Sequence, residues 1–320
     1  MVRPSQGISL RVSLTARCQL RCTYCAPGGC LAADETAPLS SDEIVRFVRA
    51  LGGHFPIAKV HLTGGEPLLR PDVVNLVQRL GDLDLPDLAL TTNGQRLGEL
   101  AGPLQRVGLR RLNVSLDSIR EDTYSTITQG GEVKPVMEGI VQARAHGLAV
   151  KTNTVVLRGI NDAEVVHIAW WSLRHGCEAR FLELMPIGPA AGRFPEQYVA
   201  SSEVRRRLGE AFDLRPLSGR VGLTARRFVA RDGHGLSGIV GFISACSAPF
   251  CRGCRRLRLS ASGQLVGCLA RGLGPDVGLL LRRGDASADH ELVDAAWTAL
   301  GLKRVRGSFT TRNLMIQTGG

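Results

Sequence analysis

Lysine is nearly absent from this chain: of forty basic residues only Lys59, Lys134, Lys151 and Lys303 are lysines. Aromatic residues are also few, at 5%, and none of them falls in an RNP-like stacking motif. Recognition of RNA by base stacking is therefore not expected, and no nucleic-acid partner is assigned. No apolar run approaches the roughly 20 residues of a membrane span. Met1 to Leu20 lacks the apolar stretch of a secretion signal. The expectation is a protein of the cytoplasm with no membrane partner. The nine cysteines do not suit a disulfide framework either. Six of them form two tight groups, Cys18/Cys22/Cys25 and Cys251/Cys254/Cys268, and a group of three cannot pair off internally. In a reducing compartment clustered thiols point to metal.

The scarcity of lysine leaves a formal charge of +11 carried almost wholly by arginine. Two readings stand: a compositional bias over a solvated surface, or a polyanionic ligand such as a nucleotide. With 44% hydrophobic and 22% charged residues over 320 positions, the chain is globular and long enough for a large core. Short β-rich segments alternate with amphipathic ones. Strands are predicted at Ile8–Thr15, Lys59–Thr63, Leu88–Thr92, Arg111–Leu116, Val150–Val156 and Ala179–Leu184. Ser40 and Glu43 are spaced as a capping box ahead of Ile44, Phe47, Val48 and Leu51. A second helix is predicted from Pro71 toward Leu80, with the proline in its first turn, and a third after Asn161. The fold class is α/β, with βα units and a parallel sheet. Polar signatures sit at several strand ends, where such sheets carry their chemistry: Thr63–Pro67, Thr91–Gly94 and Ser115–Asp117. After Met185 the pattern changes to Pro- and Gly-rich sequence, one helix and short strands near Arg226–Val229, Gly238–Ile243 and Arg256–Ser260. The expected division is 1–188 and a smaller second domain, 189–320.

Cys18-Gln-Leu-Arg-Cys22-Thr-Tyr-Cys25 places three thiols in the loop after the first strand. A cubane iron–sulfur cluster takes four ligands, so three cysteines leave one iron open to a small molecule. The alternative is a zinc site, which ordinarily shows four ligands in paired CxxC arrangements. With Gly64-Gly65-Glu66-Pro67, this motif resembles the radical S-adenosylmethionine superfamily. The resemblance implies a partial (β/α)6, TIM-like barrel and a cluster whose open iron holds S-adenosylmethionine. One-electron cleavage of that cofactor gives a 5′-deoxyadenosyl radical. It places Gly64, Gly65 and Glu66 at the methionyl amine, Tyr24 beside the adenine, and Ser115 and Met185 at further contacts. Glycines permit close approach of backbone to ligand, and a carboxylate suits an ammonium.

Cys251-Arg-Gly-Cys254 and then Cys268 make a second triplet, in the C-terminal α+β part. Together with Gly241–Ser244, Arg180–Gly188 and the terminal Gln317-Thr-Gly319-Gly320, this stretch resembles the GTP 3′,8-cyclase family, across about residues 7–320. The resemblance implies two [4Fe-4S] clusters, S-adenosylmethionine as cofactor and GTP as substrate. GTP would be cyclised to (8S)-3′,8-cyclo-7,8-dihydroguanosine 5′-triphosphate, the first step of molybdenum cofactor synthesis. Arg11, Thr91, Lys151, Arg256, Leu257 and Arg258 match nucleotide-binding positions, with Lys59 and Arg180 as added phosphate contacts. Arg256, Arg258, Gly319 and Gly320 take catalytic roles, the Gly-Gly tail entering the active site. The resemblance also implies an external electron donor of flavodoxin or ferredoxin type and a downstream pyranopterin-forming enzyme. A homodimer is compatible with it.

Three positions depart from the family pattern. His61 stands where an arginine that contacts the nucleotide is usual, and Arg255 where Asn or Thr is usual. Cys246 lies five residues before Cys251 and is either an inert thiol or a fourth cluster ligand. Cys30 and Cys177 are read as ordinary cysteines. An imidazole near its unperturbed pKa of about 6.5 would make nucleotide affinity rise as pH falls toward 6. Two alternatives stay open: a paralogue acting on another nucleotide or a peptide, and a non-catalytic iron–sulfur electron carrier.

Overall fold

The computed structural model describes residues 7–26, 37–218 and 224–303, except for the side chain of Ala286. Runs of mostly buried residues, alternating with half-buried ones in β5 and β6, build β1 (Ile8–Ser13), β2 (Ile57–Thr63), β3 (Leu88–Thr92), β4 (Arg111–Ser115), β5 (Ala149–Val156) and β6 (Glu178–Glu183). Helices α1 (Ser41–Gly52), α2 (Val73–Gly81), α3 (Leu97–Arg106), α4 (Glu121–Thr128), α5 (Val133–Ala145) and α6 (Val165–Arg174) separate them. The capping box at α1 is present: the Ser40 hydroxyl accepts from the Glu43 amide at 3.2 Å, and the Glu43 carboxylate accepts from the Ser40 amide at 2.6 Å.

Two expected helix starts shift. Helix α2 begins at Val73, so Pro71 lies ahead of its first turn. Arg70 and Ser41 hold the Asp72 carboxylate at 2.7 and 2.6 Å and pin the start there. Asn161 does not cap α6, which begins at Val165. Its amide is spent on Leu157 N–H and on the Asp117 and Val155 carbonyls, fastening one strand-end loop to another.

The C-terminal half supplies α7 (Ala190–Gln197), α8 (Ser201–Gly209), β7 (Asp213–Pro216), β8 (Arg226–Arg231), β9 (Ser237–Ile243), β10 (Arg256–Leu259), β11 (Leu265–Val266), α9 (Gly278–Arg283) and α10 (Ala286–Gly301). These strands join the first sheet. Eight parallel strands run β10-β1-β2-β3-β4-β5-β6-β9, with antiparallel β11 at one edge and β8 then β7 at the other. The boundary expected at 188/189 does not interrupt this sheet. One core packs β1 to β5 and β10 against helices that include α9 and α10, and a second packs β6, β8 and β9 against α6 and α8. Residues of β1, β6, β9 and β10 all border one cavity, so the sheet curves into an open barrel.

Candidate active site

The cavity, about 420 Å³, is lined by all six clustered cysteines. Strand direction puts the two triplets at its opposite ends. Cys18, Cys22 and Cys25 follow the C-terminal end of β1. Strand β10 runs parallel to β1 with Arg256 level with Ser9, so Cys251 and Cys254, which precede β10, lie at the N-terminal ends. Antiparallel β11 brings Cys268 back to that same end.

At the first end the loop backbone is held by the Gly64–Glu66 segment. Gly65 N–H donates to Thr15 O at 2.6 Å and Glu66 N–H to Arg17 O at 2.8 Å. A Cβ on Gly65 would sit 2.3 Å from Arg17 O, and one on Gly64 would sit 2.7 Å from Thr15 O. The close approach these glycines permit is thus to the cysteine loop itself. Glu66 corrects the sequence reading. Its carboxylate is buried, accepts from Leu68 N–H, the Thr92 hydroxyl and Asn93 N–H, and does not border the cavity. It braces the loop and is not turned toward an ammonium. Burial pushes it up to about 7, against those hydrogen bonds.

Tyr24, Ser115 and Met185 border the cavity. The Tyr24 hydroxyl donates to Asp117 at 2.6 Å, and Asp117 also accepts from Val155 N–H. Burial, then Asp117, Cys25 and Cys18, push the Cys22 thiol well up. Three sulfurs that would repel one another when ionised suit a cationic centre among them, which is the donor chemistry of an iron–sulfur site.

Between the ends lies a cationic floor: Arg11, Lys59, Arg180, Arg256 and Arg258 all border the cavity. Burial and then Arg256 bring Arg11 down to about 10, and burial, Arg11 and Arg256 hold Arg258 well below its ordinary value. Leu257 corrects the expected tripeptide. Neighbouring strand residues face opposite ways, so Leu257 enters the apolar core while Arg256 and Arg258 face the cavity. Lys151 also stands back, since it pairs with Glu178 at 3.0 Å and is not part of the cavity wall. Glu178 further binds Arg180 at 2.7 Å and Arg227 at 3.3 Å, so one carboxylate positions three cations.

His61 does reach the cavity, but as a neutral ring. Burial first, then Arg11, Lys59, Arg111 and Arg180, hold it well below its usual 6.5. In the ligand-free protein the ring therefore gains no charge toward pH 6. Its Nε2 lies 2.7 Å from the Thr91 hydroxyl and 3.3 Å from Asn113 Nδ2. Both contacts are satisfied when Nε2 accepts and the proton sits on Nδ1. Asn113 Oδ1 and Asn153 Oδ1 are buried without a hydrogen-bond partner on residues that border the same cavity. They are acceptors awaiting a donor.

At the second end Phe250 lies against the Arg256 guanidinium, 4.7 Å from its ring centre, and Thr224 accepts from Arg256. Glu183 accepts from Cys246 N–H, Ser247 N–H and the Ser247 hydroxyl, shaping the approach to Cys251. Cys246 resolves as an inert thiol: Sγ donates to Leu184 O at 3.4 Å, and burial and Glu183 push it up to about 11. It does not border the cavity. Cys246→Ala is therefore expected to leave the iron content of the reconstituted chain unchanged; loss of the second cluster's signal alone would make Cys246 a ligand. Cys177 is buried, and Cys30, Gly319 and Gly320 lie outside the described residues. The sequence reading missed Asn113, Asn153, Glu178, Glu183, Phe250 and Lys303. Asn113 and Glu178 each sit two residues before a named position on the same strand face, a signal that alternation could have supplied.

Residues 12–171 match the Radical SAM superfamily and residues 177–309 the Molybdenum Cofactor Synthesis C family. The GTP 3′,8-cyclase of Paenarthrobacter nicotinovorans is 39% identical over 307 residues, covering 91% of this chain and 86% of the relative. That of Pelotomaculum thermopropionicum is 40% identical, covering 97% of each. The chain belongs to the GTP 3′,8-cyclase family. The crystal structure of Streptococcus suis SuiB bound to S-adenosylmethionine shares the fold, with TM-score 0.60 at 12% identity over 90% of this chain and 66% of that one. Within the GTP 3′,8-cyclase family frame, the two matched regions meet just before β6, inside the continuous sheet.

Proposed function

We propose that this chain cyclises GTP to (8S)-3′,8-cyclo-7,8-dihydroguanosine 5′-triphosphate, using S-adenosylmethionine and two [4Fe-4S] clusters. The observation that carries this reading is the single cavity with a cysteine triplet at each end and a cationic floor between. Cys18, Cys22 and Cys25 would hold one cluster, and Cys251, Cys254 and Cys268 the other. The first cluster with S-adenosylmethionine supplies one-electron radical chemistry that no side chain provides. Gly64, Gly65, Tyr24, Ser115 and Met185 orient that cofactor. Arg11, Lys59, Arg180, Arg256 and Arg258 bind the triphosphate and hold the ribose toward the first end, while His61 and Thr91 offer neutral contacts. Lys151 acts through Glu178. Gly319 and Gly320, which lie outside the described residues, take the catalytic role that the family resemblance implies. An electron donor of flavodoxin or ferredoxin type and a pyranopterin-forming enzyme stand before and after the reaction.

The direct test is anaerobic incubation with reductant, GTP and S-adenosylmethionine, followed by identification of products. The expected pair is 5′-deoxyadenosine and the cyclised nucleotide. Release of 5′-deoxyadenosine with GTP left intact would move the substrate to another nucleotide or a peptide.

Lys59 carries the pH dependence that His61 does not. Burial, then Arg111, bring its ammonium from 10.5 down to about 7. In the ligand-free protein the charge is lost as pH rises through that value. A triphosphate restores the charge, so binding takes up a proton above pH 7. Affinity for GTP is then expected to fall by up to about tenfold per pH unit between pH 7 and 9. Lys59→Arg should flatten this slope, as read by calorimetry. A wild-type affinity independent of pH over that range would place Lys59 away from the phosphates.

A further inference from the structure

Lys303 follows α10, the helix whose C-terminal turn packs on the second cysteine set. A Cβ on Gly267 would come 1.7 Å from Ala299 O, so the turn lies directly on the residue before Cys268. Ala296 and Ala299 are fully buried there. Helix packing thus fixes where Lys303 begins. Its ammonium donates to Arg256 O at 2.6 Å and to Gly267 O at 2.7 Å, and lies 3.7 Å from Cys254 Sγ. An ammonium has three donors, and these contacts use all three. Arg256 is two residues beyond Cys254 and Gly267 is adjacent to Cys268. One side chain therefore spans both sequence segments that carry the second triplet. Its partners are two carbonyls and a thiol, so no carboxylate in this set cancels its charge.

We propose that Lys303 is a positioning residue for the second cluster, tying the Cys254 segment to the Cys268 segment and setting a fixed positive charge against the Cys254 sulfur. This rests on the reading of Cys251, Cys254 and Cys268 as cluster ligands. A reduced cluster carries one more negative charge than an oxidised one. A nearby cation and a hydrogen bond to a ligating sulfur both favour the reduced form. Lys303 thus raises the reduction potential of the second cluster and leaves the first untouched.

The test uses the full chain, anaerobically reconstituted, as wild type, Lys303→Gln and Lys303→Arg. Iron is counted and the potential of each cluster is followed by electron paramagnetic resonance, without substrate. Spectra of Cys22→Ala and Cys254→Ala identify which signal belongs to which cluster. Glutamine keeps a donor for the carbonyls and removes the charge. It is expected to retain about eight irons. It should lower the reduced-to-oxidised ratio of the second cluster about tenfold at a given potential, 59 mV for one electron. The first cluster should not move, and Lys303→Arg should stay near wild type. Eight irons and two unchanged potentials in Lys303→Gln would overturn the proposal and leave Lys303 an anchor of the helix end. If glutamine instead costs the second cluster, the arginine variant decides. Iron and potential kept with arginine support the role, and iron lost there too reduces it to packing. About four irons in the wild type would overturn the cluster reading itself.

Discussion

Cys22→Ala is expected to lower the iron content of the reconstituted chain from about eight to about four atoms, the content of one cubane. It should also abolish release of 5′-deoxyadenosine. The thiol sits in a buried pocket with Cys18 and Cys25, beside Asp117. Two remaining thiols do not hold a cluster that already has one open iron. Cys254→Ala should remove the other half of the iron. There cofactor cleavage should persist, because the first triplet lies at the opposite end of the barrel. The two variants thus separate loss of radical initiation from loss of substrate positioning. Full iron retention in either one would sink the assignment of that triplet. A single iron-content measurement paired with an assay for 5′-deoxyadenosine reads both.

Arg258→Met is expected to weaken GTP binding by about 2–5 kcal/mol, the scale on which truncating a buried charge acts. Arg258 is 6% exposed, and Arg11 and Arg256 crowd it with like charge. Burial and repulsion both disfavour the charged form, so a polyanion is favoured beside it. Methionine keeps much of the volume and removes the charge. Calorimetry reads the binding, and melting without ligand checks that the fold is kept. Unchanged affinity would remove Arg258 from the nucleotide site; a large fall in Tm would make it a structural cation.

Local features were readable from sequence for a local reason. The spacing Cys18, Cys22, Cys25 sits in one loop, so three thiols must converge wherever that loop goes. The Ser40/Glu43 box and the predicted strands rest on neighbours a few residues away; the structure keeps the box and places each strand limit within two residues of the expected one. Departures arose where side-chain alternation or a neighbouring strand decided the outcome. Leu257 was grouped with its arginine neighbours, whereas the side-chain alternation of β10 sends it into the core. Glu66 was read toward a ligand, but its acceptors are taken by Thr92 and Asn93 at the end of β3. His61 was expected to titrate near neutrality, but burial first, and then Arg11, Arg111 and Arg180 from β1, β4 and β6, disfavour its charged form in the ligand-free protein.

The sequence by itself determined the chemistry: two cysteine triplets, a glycine-rich strand end and a charge carried by arginine. These depend on residue type and short spacing alone. Only the tertiary structure decided the geometry of the site. Parallel pairing of β10 with β1 sets the triplets at opposite ends of one cavity. Curvature of the sheet gathers cations from several strands between them. Packing of α10 on Gly267 delivers Lys303 to Cys254, across nearly fifty residues of chain. Charge and burial at a point are sums over whatever the fold brings there, so they cannot be read from the sequence neighbours of any one residue.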